Sequence, residues 1–250
     1  MRSKLSTALS WIGLAVIVAC MAWLESMPRI ERPAPPPKIA TNEPFPLVVL
    51  DPGHGGQDSG AMCGGMMEKE LTLDVAHRVE RRLQDAGIQT LMTRGGDNYV
   101  SLADRAAMAN RVRDCILISI HFNEGNKPVS TGIETYYAEH QVTAGTFLAS
   151  WLPFLQRIAS DTSNLESQSL AGFIQDALVA RTHAVNRGTK TQQFFVLANV
   201  RHPAVLVEGG FISNKEDINK LANADYREEI AAAINDGIVH YREVLKATPR

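Results

Sequence analysis

The sequence predicts an α/β fold: a single domain with a mostly parallel central sheet flanked by helices, preceded by an N-terminal apolar segment and a proline-rich linker. Three observations carry this expectation. Apolar runs of strand length recur at PLVVLD (46–51), ILISI (116–120) and AVLV (204–207), and each leads into a His or Glu. The runs are continuous rather than alternating, the mark of strands buried on both faces as in parallel sheets. Helical patterns lie between them, as crossover connections require.

The chain opens with Arg2 and Lys4 ahead of residues 5–24, which carry no charge. Such a run is either an export signal or a membrane anchor occupying residues 1–27. Basic residues before it hold the N-terminus in the cytoplasm, and no Ala-x-Ala cleavage site follows, so an uncleaved inner-membrane anchor is the preferred reading. The remainder is then exported, to the periplasm or cell envelope. Residues 28–46 hold seven of the twelve prolines, so 28–45 is expected to be an extended linker that cannot close a core.

The domain proper is expected over 46–250. Its first strand runs into LDPGHGG, which presents His54. The segment EKELTLDVAHRVERRLQDAG then reads as a helix opening at Glu68, with Leu71, Val75, Val79 and Leu83 repeating every fourth residue. ILISI leads to His121, GIETYY is a further strand, a helix begins near Glu166, and AVLV leads to Glu208. Residues 141–165 exceed what a simple connection needs. Phe147, Trp151, Phe154 and Leu155 lie there at helical spacing, which suits a helix packed on the domain or a regulatory segment over 143–160.

The bulk numbers exclude some partners. A net charge of −2 with no Lys/Arg run gives no electrostatic footprint for nucleic acid. Cys63 and Cys115 follow the linker and are either a disulfide or two unpaired thiols.

Strands of a parallel sheet deliver the residues that follow them to one edge, where ligands collect. His54, His121 and Glu208 therefore converge by topology, and Glu68 opens a helix beside the His54 loop. Two imidazoles and one carboxylate make a hydrolytic Zn2+ set with an open position, which lowers the pKa of a water to about 7, while a further carboxylate shuttles the proton. Glu70, two residues beyond Glu68, competes for the ligand role. His202, before Pro203, is placed near the Glu208 strand and so toward the cleft. Arg94 and Arg105 are read as structural ion-pair partners rather than substrate contacts.

With LDPGHGG, the EK pair at Glu68, SIHFN around His121 and AVLVEGGFISN around Glu208 in order, the chain resembles the zinc-dependent N-acetylmuramoyl-L-alanine amidases of bacterial cell walls over about residues 46 to 245. The stretches TRGGDNYVSLADRAAMAN and RGTKTQQFFVL also resemble family segments. The resemblance implies that His54, Glu68 and His121 bind zinc and that Glu208 is the catalytic acid and base. It also implies a peptidoglycan substrate and an activator protein that draws a covering helix from the cleft. Phe122 stands where a small residue is usual, and Met66 and Met67 precede the zinc glutamate, so a reshaped cleft is expected. Two other readings stay open: another zinc hydrolase such as a carboxypeptidase or deacetylase, and a non-catalytic wall-binding regulator.

Overall fold

A strand with every residue after its first buried, β1 (Leu47–Pro52), lies second from the edge of the main sheet. The computed structural model describes residue 11 and residues 43–125, 129–141 and 164–247. The chain divides into two units, Met1–Ala40 and Thr41–Arg250, and all the elements named below belong to the second. The expected anchor at 5–24 lies outside the described residues except for Trp11, and so do most of the linker and the segment 143–160. Among the described residues no helix is long and apolar enough to cross a membrane.

After β1 come a small hairpin, β2 (Met62–Cys63) and β3 (Met66–Met67), and helix α1 (Glu68–Asp85). Then follow β4 (Gln89–Met92), α2 (Leu102–Arg111), β5 (Cys115–Asn123) and β6 (Ile133–Tyr137). The chain continues with α3 (Leu165–Thr182), β7 (Asn186–Thr191), α4 (Phe195–Ala198), β8 (Ala204–Phe211), α5 (Lys215–Ala222) and α6 (Ala224–Ala247). The six-stranded sheet runs β4-β1-β5-β8-β6-β7. Its first four strands are mutually parallel, β6 is antiparallel to β8, and β7 is parallel to β6.

Alternation along each strand divides the core in two. Val48 and Leu50 of β1, Ile116, Ile118 and Ile120 of β5, and Val205 and Val207 of β8 face one layer. There they meet Leu71, Val75, Val79 and Leu83 of α1, Leu170 and Ile174 of α3, and Ile230 and Ile234 of α6. Each such fully buried aliphatic contributes ~1.5–3 kcal/mol relative to exposure. Val49, Leu117, Ala204 and Leu206 face the other way, against Ala106 and Ala109 of α2 and Val196 and Leu197 of α4. The first layer has long helices, while α2 has 10 residues and α4 has 4. The cleft opens on this thinly covered side, at the carboxyl ends of the parallel strands.

Both cysteines that follow the linker are free among the described residues: Cys63 is exposed in the hairpin and Cys115 is buried at the start of β5. Burial pushes the Cys115 thiol up to about 12, so it is an inert packing residue.

Candidate metal centre

Residues 52–54 turn sharply off the end of β1, and His54 takes a left-handed backbone with φ of 58°. A non-glycine residue holds that conformation only when its surroundings over-determine it. Two arginines do so here. Arg94 donates from Nε to the Pro52 carbonyl at 3.0 Å and from Nη2 to the Gly53 carbonyl at 2.7 Å. Arg105 donates from Nη1 to the Pro52 carbonyl and from Nη2 to the His54 carbonyl, both at 2.6 Å. Arg105 also pairs at 2.7 Å with Asp51, which is 1% exposed and accepts further from Thr93 and Ser119. Both arginines are thus structural, but among the described residues only Arg105 forms the ion pair expected of them; Arg94 donates to backbone carbonyls and to the Thr72 hydroxyl instead. Replacing Arg105 with Ala strands the Asp51 charge and is expected to cost ~3–5 kcal/mol in denaturant unfolding. A loss below ~1 kcal/mol would contradict this account of the turn.

Glu68 comes from the first residue of α1, whose N-cap Met67 offers no side-chain cap. The loop supplies acceptors instead: the N–H groups of Glu68 and Lys69 donate to the carbonyls of Ala61 and Ser59 at 2.9 and 3.1 Å. The helix start is therefore tied to the loop that carries His54. Glu68 is 5% exposed, whereas its competitor Glu70 is exposed. Its Oε2 lies 3.0 Å from His54 Nε2 and its Oε1 lies 2.9 Å from His121 Nδ1. The same oxygens accept the N–H of Ala61 at 3.0 Å and of Phe122 at 3.1 Å.

His121 projects from β5 on the face opposite Phe122. The two imidazole rings meet edge to face, 5.0 Å between centroids and 78° between planes. One donor atom from each of His54, Glu68 and His121 lies within 4.8 Å of the others. The backbone leaves room only where side chains are absent: a Cβ on Gly53 would sit 2.3 Å from His121 Cε1. On Gly60, at φ of +62°, it would sit 2.6 Å from both Glu68 Oε2 and His54 Cδ2. Three convergent donors, two nitrogen and one oxygen, suit a borderline cation such as zinc.

Burial pushes the Glu68 carboxyl up, but hydrogen bonds from His121 and His54 outweigh it and hold it below the ordinary range. Burial pulls the His54 imidazole down, and the hydrogen bonds and charges of Glu68 and Asp58 outweigh that, leaving it raised. Asp58 escaped the sequence reading. Its Oδ2 lies 2.9 Å from His54 Nδ1 and fixes the ring with Nε2 toward Glu68. Such a partner behind a ligating imidazole typically matters 10–100-fold to metal affinity. Asp58→Ala is expected to weaken zinc binding by about that factor in chelator competition, and an unchanged affinity would remove Asp58 from the site.

Glu208 pairs in register with His121 across β5 and β8. It is 9% exposed, and its Oε2 is buried without a hydrogen-bond partner among the described residues. Burial, then the charges of Glu68 and Glu134, raise its carboxyl well above the ordinary range. His54, Glu68, His121 and Glu208 line one cavity of about 240 Å³ with Leu102, Phe194 and other residues.

Other sequence expectations land elsewhere. His202 precedes β8 and lines a different cavity, with Asp114, Cys115 and Tyr241, where the parallel strands begin rather than end. Phe122 borders the cleft, is 1% exposed and packs into the first core layer. His77, His140, His183 and His240 do not line the cleft. A buried glutamate, Glu134, with Asn123, Arg187 and Lys190 around it, was missed altogether.

Residues 48–240 match the family model described as N-acetylmuramoyl-L-alanine amidase. The chain is 36% identical over 213 residues to the N-acetylmuramoyl-L-alanine amidase LytC of Bacillus subtilis, covering 84% of this chain and 39% of LytC. It therefore spans well under two thirds of that relative. It is 31% identical to the N-acetylmuramoyl-L-alanine amidase AmiA of Escherichia coli, covering 78% of this chain and 75% of AmiA. The crystal structure of an N-acetylmuramoyl-L-alanine amidase from Clostridium difficile 630 superposes with a TM-score of 0.68 at 30% identity, over 80% of this chain and 98% of that one. The chain belongs to the N-acetylmuramoyl-L-alanine amidase family of hydrolases.

Proposed function

We propose that this chain hydrolyses the amide bond between the lactyl group of N-acetylmuramic acid and the L-alanine of a peptidoglycan stem peptide, with zinc as its metal. His54 through Nε2, Glu68 through a carboxylate oxygen and His121 through Nδ1 would hold the ion. When bound, zinc supplies Lewis acidity that polarises a carbonyl oxygen and acidifies a water.

The chain's own residues do the rest. Glu208 takes a proton from the attacking water as the new C–O bond forms, and returns it to the alanine nitrogen as the C–N bond breaks. The single observation that carries this role is its buried, unpartnered Oε2 beside His121 in register. Its raised proton affinity suits a group that must keep the proton between the two steps. Asp58, Arg94 and Arg105 hold His54 in place, and the N–H groups of Ala61 and Phe122 orient Glu68. Preorganised groups of this kind need little reorganisation during reaction.

The same proposal places the domain outside the cytoplasm, in the periplasm or cell envelope, held to the inner membrane by residues 5–24. There it would act in wall remodelling or daughter-cell separation, with an activator protein as a partner. Digestion of purified peptidoglycan followed by mass analysis tests the bond. Stem peptides with a free N-terminal alanine amine, and glycan with free lactyl carboxylates, are expected. Loss of a C-terminal residue or of acetyl groups instead would replace the proposal with a carboxypeptidase or a deacetylase.

A further inference from the structure

Glu134 of β6 lies directly opposite Glu208 in the antiparallel pair β6–β8. Opposed residues share a face with Cα atoms about 5 Å apart, so His121, Glu208 and Glu134 form a row across β5, β8 and β6. Glu134 is 2% exposed yet it is heavily solicited. Its Oε1 accepts from the Tyr136 hydroxyl at 2.6 Å and from Asn123 Nδ2 at 2.8 Å. Its Oε2 accepts from Arg187 Nε at 2.7 Å and from Lys190 Nζ, both reaching in from the edge strand β7.

One buried carboxylate needs one cation to neutralise it. Here it has two, Arg187 and Lys190, so the cluster keeps a surplus positive charge on the strand beyond Glu134. Arg187 spends only Nε on Glu134, and its Nη1 and Nη2 have no hydrogen-bond partner among the described residues. Its guanidinium lies over the Phe211 ring, 4.9 Å from the centroid. The side chains of Arg187 and Lys190 are 33% and 36% exposed. A guanidinium fork held by its Nε, with both terminal nitrogens unbonded among the described residues, has the geometry that receives a carboxylate in bidentate fashion.

We propose that Arg187 and Lys190, set in place by Glu134 as a positioning residue, form a subsite for a carboxylate of the stem peptide within the first three residues beyond the scissile amide. The inference rests on the amidase reading above. Once the lactyl carboxyl is tied up in the amide, an N-acetylated muramic acid carries no charge, so the anionic groups of the substrate belong to its peptide. Strand β7 lies two strand spacings, ~10 Å, from β8, and an extended peptide advances ~3.3–3.6 Å per residue. About three residues therefore cover the distance.

The test compares two soluble muramyl peptides that differ only in whether the peptide carboxylates are free or amidated. Wild-type protein is expected to favour the free form by about tenfold in kcat/KM, as befits one hydrogen-bonded ion contact, with the difference mostly in KM. Arg187→Gln and Lys190→Gln are each expected to pull that preference toward unity, and Arg187→Lys to fall between, because it keeps the charge and loses the fork. A purely structural ion pair would lower both substrates alike. Equal wild-type rates on the two substrates overturn the subsite while leaving the amidase reading intact, and so does a preference that survives both Gln variants. Cleavage of neither substrate by wild type overturns the amidase reading, and the subsite falls with it.

Discussion

Glu208→Gln is expected to lower kcat on peptidoglycan by about 10²–10⁴-fold, the usual contribution of a positioned acid and base, with zinc content staying at the wild-type level. The substitution keeps the shape of a side chain that is 9% exposed and removes only its capacity to take up and release a proton. Wild-type release of stem peptide by the variant would remove Glu208 from the mechanism. The variant also carries a pH signature in the metal-free protein. Burial and the charges of Glu68 and Glu134 raise the folded-state carboxyl above its unfolded value. Above the ordinary carboxyl range of about 4.3 the unfolded chain has lost this proton and the folded chain has kept it. Folding thus takes up a proton, and wild-type stability falls as pH rises through that window. The Gln variant has no proton to exchange there, so its melting temperature gains on wild type as pH rises above about 4, and the two converge in acid. A gap that narrows with rising pH would contradict the buried, uncompensated carboxyl.

His121→Ala and His54→Ala are each expected to abolish turnover and to cut zinc affinity by more than the 10–100-fold typical of an outer partner such as Asp58. Each removes a ring nitrogen that stands 2.9 or 3.0 Å from a Glu68 oxygen. With two donors left, the remaining set cannot complete a tetrahedral zinc site. Equilibrium dialysis with metal quantification reads the loss directly, and far-ultraviolet circular dichroism separates it from unfolding. Full zinc occupancy in both variants would place the metal somewhere else.

The parts of the fold legible in the sequence are those whose burial is complete. β1, β5 and β8 are sandwiched between two helical layers, so their apolar runs are unbroken, and α1 shows its buried stripe because only one face is covered. Strand β7, NRGTKT, was not legible, because an edge strand with charged side chains shows little apolar pattern. The convergence of His54, His121 and Glu208 followed from where the parallel strands end. Asp58 did not show itself, because its contact with His54 depends on a left-handed turn that two distant arginines impose. Glu134 was hidden for a similar reason: in GIETYY it reads as one polar residue of a strand, and its meaning comes from Arg187 and Lys190 more than fifty residues away. His202 was misplaced because proximity to Glu208 in sequence says nothing about which end of β8 it occupies.

Anomalous diffraction at the zinc edge, from crystals of the domain grown with zinc, tests the central claim most directly. The account predicts one strong peak in contact with His54 Nε2, a Glu68 oxygen and His121 Nδ1, with Glu208 adjacent to it. A peak that touches neither imidazole, or histidine rings that do not share a metal, would contradict it.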